Sequence, residues 1–265
     1  MKRRSFVKAS LLSGAVAAVL PSETYAVSEV LPKASHEFYE LRTYTIKSET
    51  QQKTVEQFYE KAAIPALNKT GVRNIGVFTE LKPSGLSKLY VLIPYKSLEH
   101  FYGIIEKLQA DTIYASNGAE YLNAPASDPA YERIQSSLFK AFAHMPKMEV
   151  PSAKPRIFEL RQYQSSSESA GKKKIEMFND KGEINIFKRL GFNPVFFGEA
   201  IIGEALPNLT YMVTFDDMAA HDQKWKSFVG DSEWKVISKV PEYADSLLVS
   251  KITPTFLTPC ACSQI

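Results

Sequence analysis

"YELRTY", from Tyr39 to Tyr44, returns 119 positions later as "FELRQY", from Phe158 to Tyr163. Two further near-copies keep the same order. "NKTGVRNIGVF" (Asn68 to Phe78) aligns with "KRLGFNPVFFG" (Lys188 to Gly198), which sets Gly71 over Gly191 at an offset of 120. "YVLIPYKSLEH" aligns with "YMVTFDDMAAH", which sets Tyr90 over Tyr211 and His100 over His221 at an offset of 121. A duplicated unit with small loop insertions keeps order in this way, and chance identity does not.

Each unit reads alike. Strands are expected at 37–46 and 156–164, each followed by an amphipathic helix. Gly71 and Gly191, each near a basic residue, read as helix stops. Pro65 should kink or break the first helix. Paired strands follow at 72–81 and 87–95, and at 192–202 and 208–216, around "KPSG" and "GEALPN". A second helix begins after "PYKS" and after "FDD", where serine and aspartate can cap. Closing strands are expected near 137–144 and 244–256, with an extra turn or short helix at "SDPAYERI". The order β-α-β-β-α-β is the ferredoxin-like split βαβ, so the fold class is α+β.

The repeated strand decides how two such units combine. Its side chains alternate between faces. Tyr39, Leu41 and Thr43, matched by Phe158, Leu160 and Gln162, are expected to pack under the helices. Glu40, Arg42 and Tyr44, matched by Glu159, Arg161 and Tyr163, would then face a second sheet. Two bare sheet faces can cover each other and close a barrel within one chain. Charges held there need partners, and Glu40–Arg42 and Glu159–Arg161 are spaced to pair. Two readings follow. One is a paired network that fixes sheet docking. The other is a polar barrel pocket for a small organic ligand, lined by these six residues with Tyr90 and Tyr211.

The remaining signals bound the function. The chain has 265 residues, 45% hydrophobic and 12% aromatic, enough for a packed core. "MKRRSFVKAS", then "LLSGAVAAVL", then "SETYA" has the layout of an export signal over 1–26, with Arg3 and Arg4 as a twin-arginine pair and cleavage after Ala26. The expected location is the periplasm, with no stable membrane insertion once the signal is removed. Without the leader, Lys+Arg and Asp+Glu both number 28, so the basic pI reflects the leader and no nucleic-acid partner is expected. "KKK" at 172–174 reads as a solvated helix start. His100 and His221 are the weak candidates for a general base, together with the strand glutamates. No phosphate loop, dinucleotide fingerprint or zinc pattern is visible, and no metal or cofactor is expected. Cys260 and Cys262 read as exposed thiols on a mobile tail, the alternative being a soft-metal pair or strained disulfide.

With "FYELRTYTI", "SLEH", "YLNAPASDPAYERIQSSL", "FELRQY" and "FVGDSEWKVI" in this order, the chain resembles the NIPSNAP family over residues 37–258, as two tandem copies. The resemblance implies a dimeric α+β barrel formed within one chain. Its wider superfamily includes cofactor-free monooxygenases, haem-degrading enzymes, chlorite dismutase-like proteins and small isomerases. It also implies Glu40, Arg42, Tyr44, Glu159, Arg161 and Tyr163 as signature positions, with no assigned role. The expected domains are 37–146 and 156–258, with linkers at 27–36 and 147–155 and a tail at 259–265. The leading expectation is an exported small-molecule binder. The alternatives are a cofactor-free or haem-linked oxygenase or isomerase, and a non-catalytic partner-binding scaffold. The tandem copy can close its own barrel, and an exposed sheet edge would allow a homodimer.

Overall fold

The computed structural model describes residues 35–83 and 85–265. The expected leader, its cut after Ala26 and most of the 27–36 linker lie outside the described residues.

Each half opens on the repeated strand, β1 (Phe38–Ile46) or β5 (Ile157–Gln164). Ser48 Oγ caps α1 (Glu49–Phe58) by accepting from Gln51 N at 3.2 Å. A single wide π turn, Tyr59–Ala63, separates α1 from α2 (Ile64–Lys69). Pro65 sits in the first turn of α2, where its missing N–H and its ring break the regular ladder, as the sequence predicts. Gly71 (φ 91°) and Gly191 (φ 76°) take the left-handed conformation after the helices, so both expected stops hold. The hairpins are β2 (Gly76–Glu80) with β3 (Ser87–Tyr95). In the second half α6 (Glu168–Asn179) and α7 (Glu183–Arg189) precede β6 (Pro194–Ile202) and β7 (Asn208–Phe215). Ser97 and Asp217 cap α3 (Leu98–Ala110) and α8 (Met218–Gly230).

The stretch before β4 (Arg133–Ala141) holds two short helices, α4 (Thr112–Asn117) and α5 (Ala119–Leu122). They lie ahead of "SDPAYERI", which itself runs as turns and bends into β4. The second half has α9 (Ser232–Ile237), α10 (Asp245–Leu248) and the closing strand β8 (Lys251–Pro259).

The eight strands close into one barrel in the order β1-β3-β2-β8-β5-β7-β6-β4. Each half contributes a ferredoxin-like sheet, and two seams join them: β2 with β8 and β6 with β4. Every described strand therefore has two neighbours, although Lys251–Thr255 of β8 and Arg133–Ser137 of β4 are paired on one side only.

Residues beyond the closing strands extend both seams. Glu149 N donates to Val195 O at 3.0 Å, and Cys260 N donates to Val77 O at 2.9 Å. Gln264 N donates to Ile75 O, while Ile75 N and Val77 N donate to Gln264 Oε1 and Ser263 Oγ. The segment 260–265 is thus a turn hydrogen-bonded to the strand-side residues Ile75 and Val77, which corrects the mobile-tail expectation. Cys260 and Cys262 pack partly buried against the first-half core. Burial pushes both thiols up, Cys262 to about 11, so they stay protonated and unreactive near neutral pH.

The face assignment is reversed. Tyr39, Leu41, Phe158 and Leu160 lie inside the barrel with Phe78, Phe139, Phe196 and Met212. Tyr44 packs with the helices of the first half and Tyr163 with those of the second. The charged face of the repeated strand therefore looks toward the helix layer and away from the other sheet. Alternation fixes two faces but not which one points inward.

Candidate functional site

The six signature residues build two enclosed networks beneath the helices. In the first half the Arg42 guanidinium grips Glu40 in a fork, Nε to Oε1 at 2.7 Å and Nη2 to Oε2 at 3.1 Å. Tyr95 and Ser136 hydroxyls add bonds to Glu40 at 2.9 and 2.8 Å. Burial alone would raise this carboxyl, but Arg42 and the two hydroxyl donors more than offset it and hold it below the usual range. The Tyr44 hydroxyl bonds those of Tyr59 (2.8 Å) and Tyr121 (2.9 Å), and burial raises all three phenols.

In the second half Arg161 Nη1 donates to Glu159 Oε1 at 2.8 Å, and Trp225 Nε1 donates to Oε2 at 3.0 Å. His221 Nε2 stands 3.4 Å from the same oxygen. The Arg161 guanidinium lies 4.4 Å from the Trp225 ring centre, a cation–π contact. Tyr163 accepts from Arg161 Nη2 at 3.1 Å and meets the Tyr211 hydroxyl at 3.4 Å. The expected Glu–Arg pairing therefore holds in both halves, in-strand. The expected placement of these residues in a barrel pocket does not.

Close by, Lys174 is buried and bonds Asp245 at 3.0 Å, so the "KKK" run is not wholly solvated. Burial also raises the buried Glu183 carboxyl to about 7, against the opposing pull of Lys174. His100 is bonded to Lys96 N and Thr70 O and ties α3 to the end of α2. It is far in role from His221, and the two are not equivalent. Ser97 and Asp217 cap their helices 120 residues apart, which sets His221 over Phe101. The register of the sheet likewise sets Tyr211 over Val91: Arg42 pairs with Val91 as Arg161 pairs with Tyr211. The 121 offset was one too many, and in a strand one residue changes the face. Tyr211 accordingly lies in the helix-side core while Tyr90 faces the barrel interior.

Tyr90 lines a cavity inside the barrel. One end of the barrel is filled by aromatic and aliphatic side chains, with Met148 and Ile265 packed against them. The other end is open, as a cavity of about 370 Å³. Its floor is Leu41, Phe139 and Leu160. Above it stands a belt of neutral hydrogen-bonding side chains, among them Thr43, Ser137, Gln162 and Thr210, with Thr253 and Thr255 from β8. Lys88 and Lys251 stand at the rim with Gln135, Gln164 and Glu204. Tyr90 donates to Glu80 Oε1 at 3.2 Å, and Gln135 Nε2 lies 2.9 Å from both oxygens of Glu204. The β6–β7 loop forms one wall. Gly203 (φ 147°) lies so close to β4 that a Cβ there would come within 2.3 Å of Ser137 Oγ.

Sequence reasoning found only Tyr90 among these residues. A signal was available. Along three strands the interior face grades from polar to apolar: Thr43–Leu41–Tyr39, Gln162–Leu160–Phe158 and Lys88–Tyr90–Leu92. None of the four histidines lines the cavity, so a haem seated there would lack a histidine ligand, and no group of metal-ligating residues is present among the described residues.

An intrachain barrel made of two ferredoxin-like sheets defines the class as a dimeric α+β barrel protein. The NIPSNAP family profile matches residues 39–144 and 158–264, one copy per half, and the chain belongs to that family. In fold it is similar to two bacterial proteins named as candidate monooxygenases. That from Fusobacterium nucleatum is 9% identical with a TM-score of 0.55, over 85% of this chain and 93% of that one. That from Lactobacillus acidophilus is 10% identical with a TM-score of 0.57, over 84% and 94%. A NIPSNAP family protein from Agrobacterium tumefaciens aligns over 44% of this chain and 97% of its own, at 17% identity and a TM-score of 0.37. No curated protein sequence matches the chain. Among the described residues no helix is long and apolar enough to cross a membrane.

Proposed function

We propose that this NIPSNAP protein binds a small organic molecule in the open end of its barrel. One observation carries the reading: a single interior is densely packed at one end and left as a polar-belted cavity at the other. Protein interiors are close-packed, so a retained cavity with converging hydrogen-bonding groups is the feature of a binding site. At about 370 Å³ it falls at the small end of ligand pockets, roughly 300–1,000 Å³. Native mass spectrometry of the purified chain, before and after exposure to a library of polar small molecules, tests this. Wild type is expected to carry added mass that Gln162→Trp, with a bulky ring across the belt, loses while keeping its thermal midpoint. A wild type that takes up nothing sinks the reading.

A catalytic reading built on the candidate histidines uses the helix side of the second half, where His221 and Glu159 stand together. His221→Ala separates the two readings, because it leaves the cavity untouched. Twin-arginine export with cleavage after Ala26 belongs to the same proposal, supported by Arg3, Arg4 and the apolar run behind them. N-terminal sequencing of protein from a periplasmic fraction checks it.

A further inference from the structure

We infer that the ligand is an uncharged molecule, apolar at its inner end and carrying hydroxyl or amide groups at the middle depth of the cavity. This inference rests on the open barrel end being a binding site. The duplication supplies an internal comparison, because strand register matches each interior position of one half with one of the other. At the floor Leu41 matches Leu160 and Phe139 matches Leu257, all apolar. One layer out, Thr43 matches Gln162, Ser137 matches Thr255, Gln135 matches Thr253 and Tyr90 matches Thr210. All of these side chains line the cavity. Each pair has changed identity between the halves, yet every member is uncharged and able both to donate and to accept a hydrogen bond.

Charge returns only at the outermost matched positions, where Lys88 matches Asn208 and Arg133 matches Lys251. There it is of both signs. Lys88 stands opposite Glu80, one step beyond the Thr79–Leu89 pair, and Glu204 lies on the same rim against Gln135. The rim therefore offers no seat of a single sign. The layer beneath it has stayed neutral and polar while its residues diverged. Hydroxyl and amide groups find partners in that layer, whereas an ion would give up its water for nothing of opposite charge. The apolar floor suits an apolar inner end.

The test is isothermal titration of the purified chain with two matched sets: 4-hydroxybenzamide, 4-hydroxybenzoate and 4-hydroxybenzylamine, then 1,2-hexanediol, hexanoate and hexylamine. In at least one set the uncharged member is expected to bind at least about tenfold more tightly than both ions, the scale of one charge left without a partner. The Thr43→Val, Gln162→Leu double variant removes belt polarity and should weaken that member about tenfold, with Thr43→Val alone as the check should the pair fail to fold. Unchanged affinity in both overturns the belt as the recognising layer. An acid or amine that binds as tightly as its uncharged partner, with both lost in Gln162→Trp, overturns the neutral ligand and leaves the cavity as a site. Binding that survives Gln162→Trp places the ligand elsewhere and overturns both. Failure of every uncharged probe to bind overturns the inference, whatever the native-mass experiment returns.

Discussion

Glu40 and Glu159 stand at the same register position of the two halves, each gripped by an arginine two residues on. Their other donors come from different places. In the first half Tyr95 and Ser136, both on the sheet, complete the shell. The register sets Phe215 over Tyr95 and Pro254 over Ser136, so the second half has lost both hydroxyls. Two groups from α8 stand in: Trp225 bonds Glu159, and His221 lies beside it. The buried carboxylate has to be satisfied, and the element that satisfies it is free to change. This is how a structural ion pair behaves after duplication. It argues that the signature residues dock helices on sheets.

The comparison breaks most visibly if one carboxylate is removed. Glu159→Ala should cost about 3–5 kcal/mol in chemical denaturation, because it strands a guanidinium whose side chain is only 17% exposed. Glu40→Ala should cost less, since Arg42 is 33% exposed and can reach water. Equal losses would mean that the two networks are interchangeable. Next in size is a feature of the second half alone. The buried Glu183 carboxyl, raised to about 7 from an ordinary 4.5, keeps its proton in the folded chain after the unfolded chain has lost it. Stability should therefore fall as pH rises from about 4.5 to 7 and level off above. Glu183→Gln should remove that slope and stabilise the protein by up to about 3 kcal/mol at pH 7 and above, read as thermal midpoints across the window. The smallest effect is Tyr95→Phe, expected to cost about 1–2 kcal/mol by deleting one donor to Glu40 without opening a cavity. A neutral result would show that Arg42 and Ser136 suffice.

Much of the architecture was legible in the repeat. Ordered near-copies give two units, and Gly71, Gly191, Ser97 and Asp217 punctuate them at observed helix ends. The site was not legible, because the strongest motif drew attention to the wrong face. Glu40, Arg42 and Tyr44 share a face with Ile46, and across β3 with Leu89, Val91, Ile93 and Tyr95, all buried. A face so apolar elsewhere has to meet the helices. Its charges are tolerated there because each has a partner. The opposite face hides its function in neutral residues, Thr43, Gln162 and Thr210, which no motif singles out. Their meaning depends on closure, which brings β3, β4, β7 and β8 around one space.

The β2–β8 seam has a bearing on when the barrel can form. β2 ends at Glu80, and its outer neighbour is made of residues 251–259, with 260 and 264 extending the pairing. During synthesis that edge stays unpaired until β8 begins at Lys251, some 170 residues after Glu80. At roughly 5–20 residues per second that is an interval of about 10–30 s in which the β2 edge has no partner strand on that side. The chain's own late strand is the group that protects its early one, so any slowing of translation between the halves lengthens the time for which a neighbouring nascent chain could take its place.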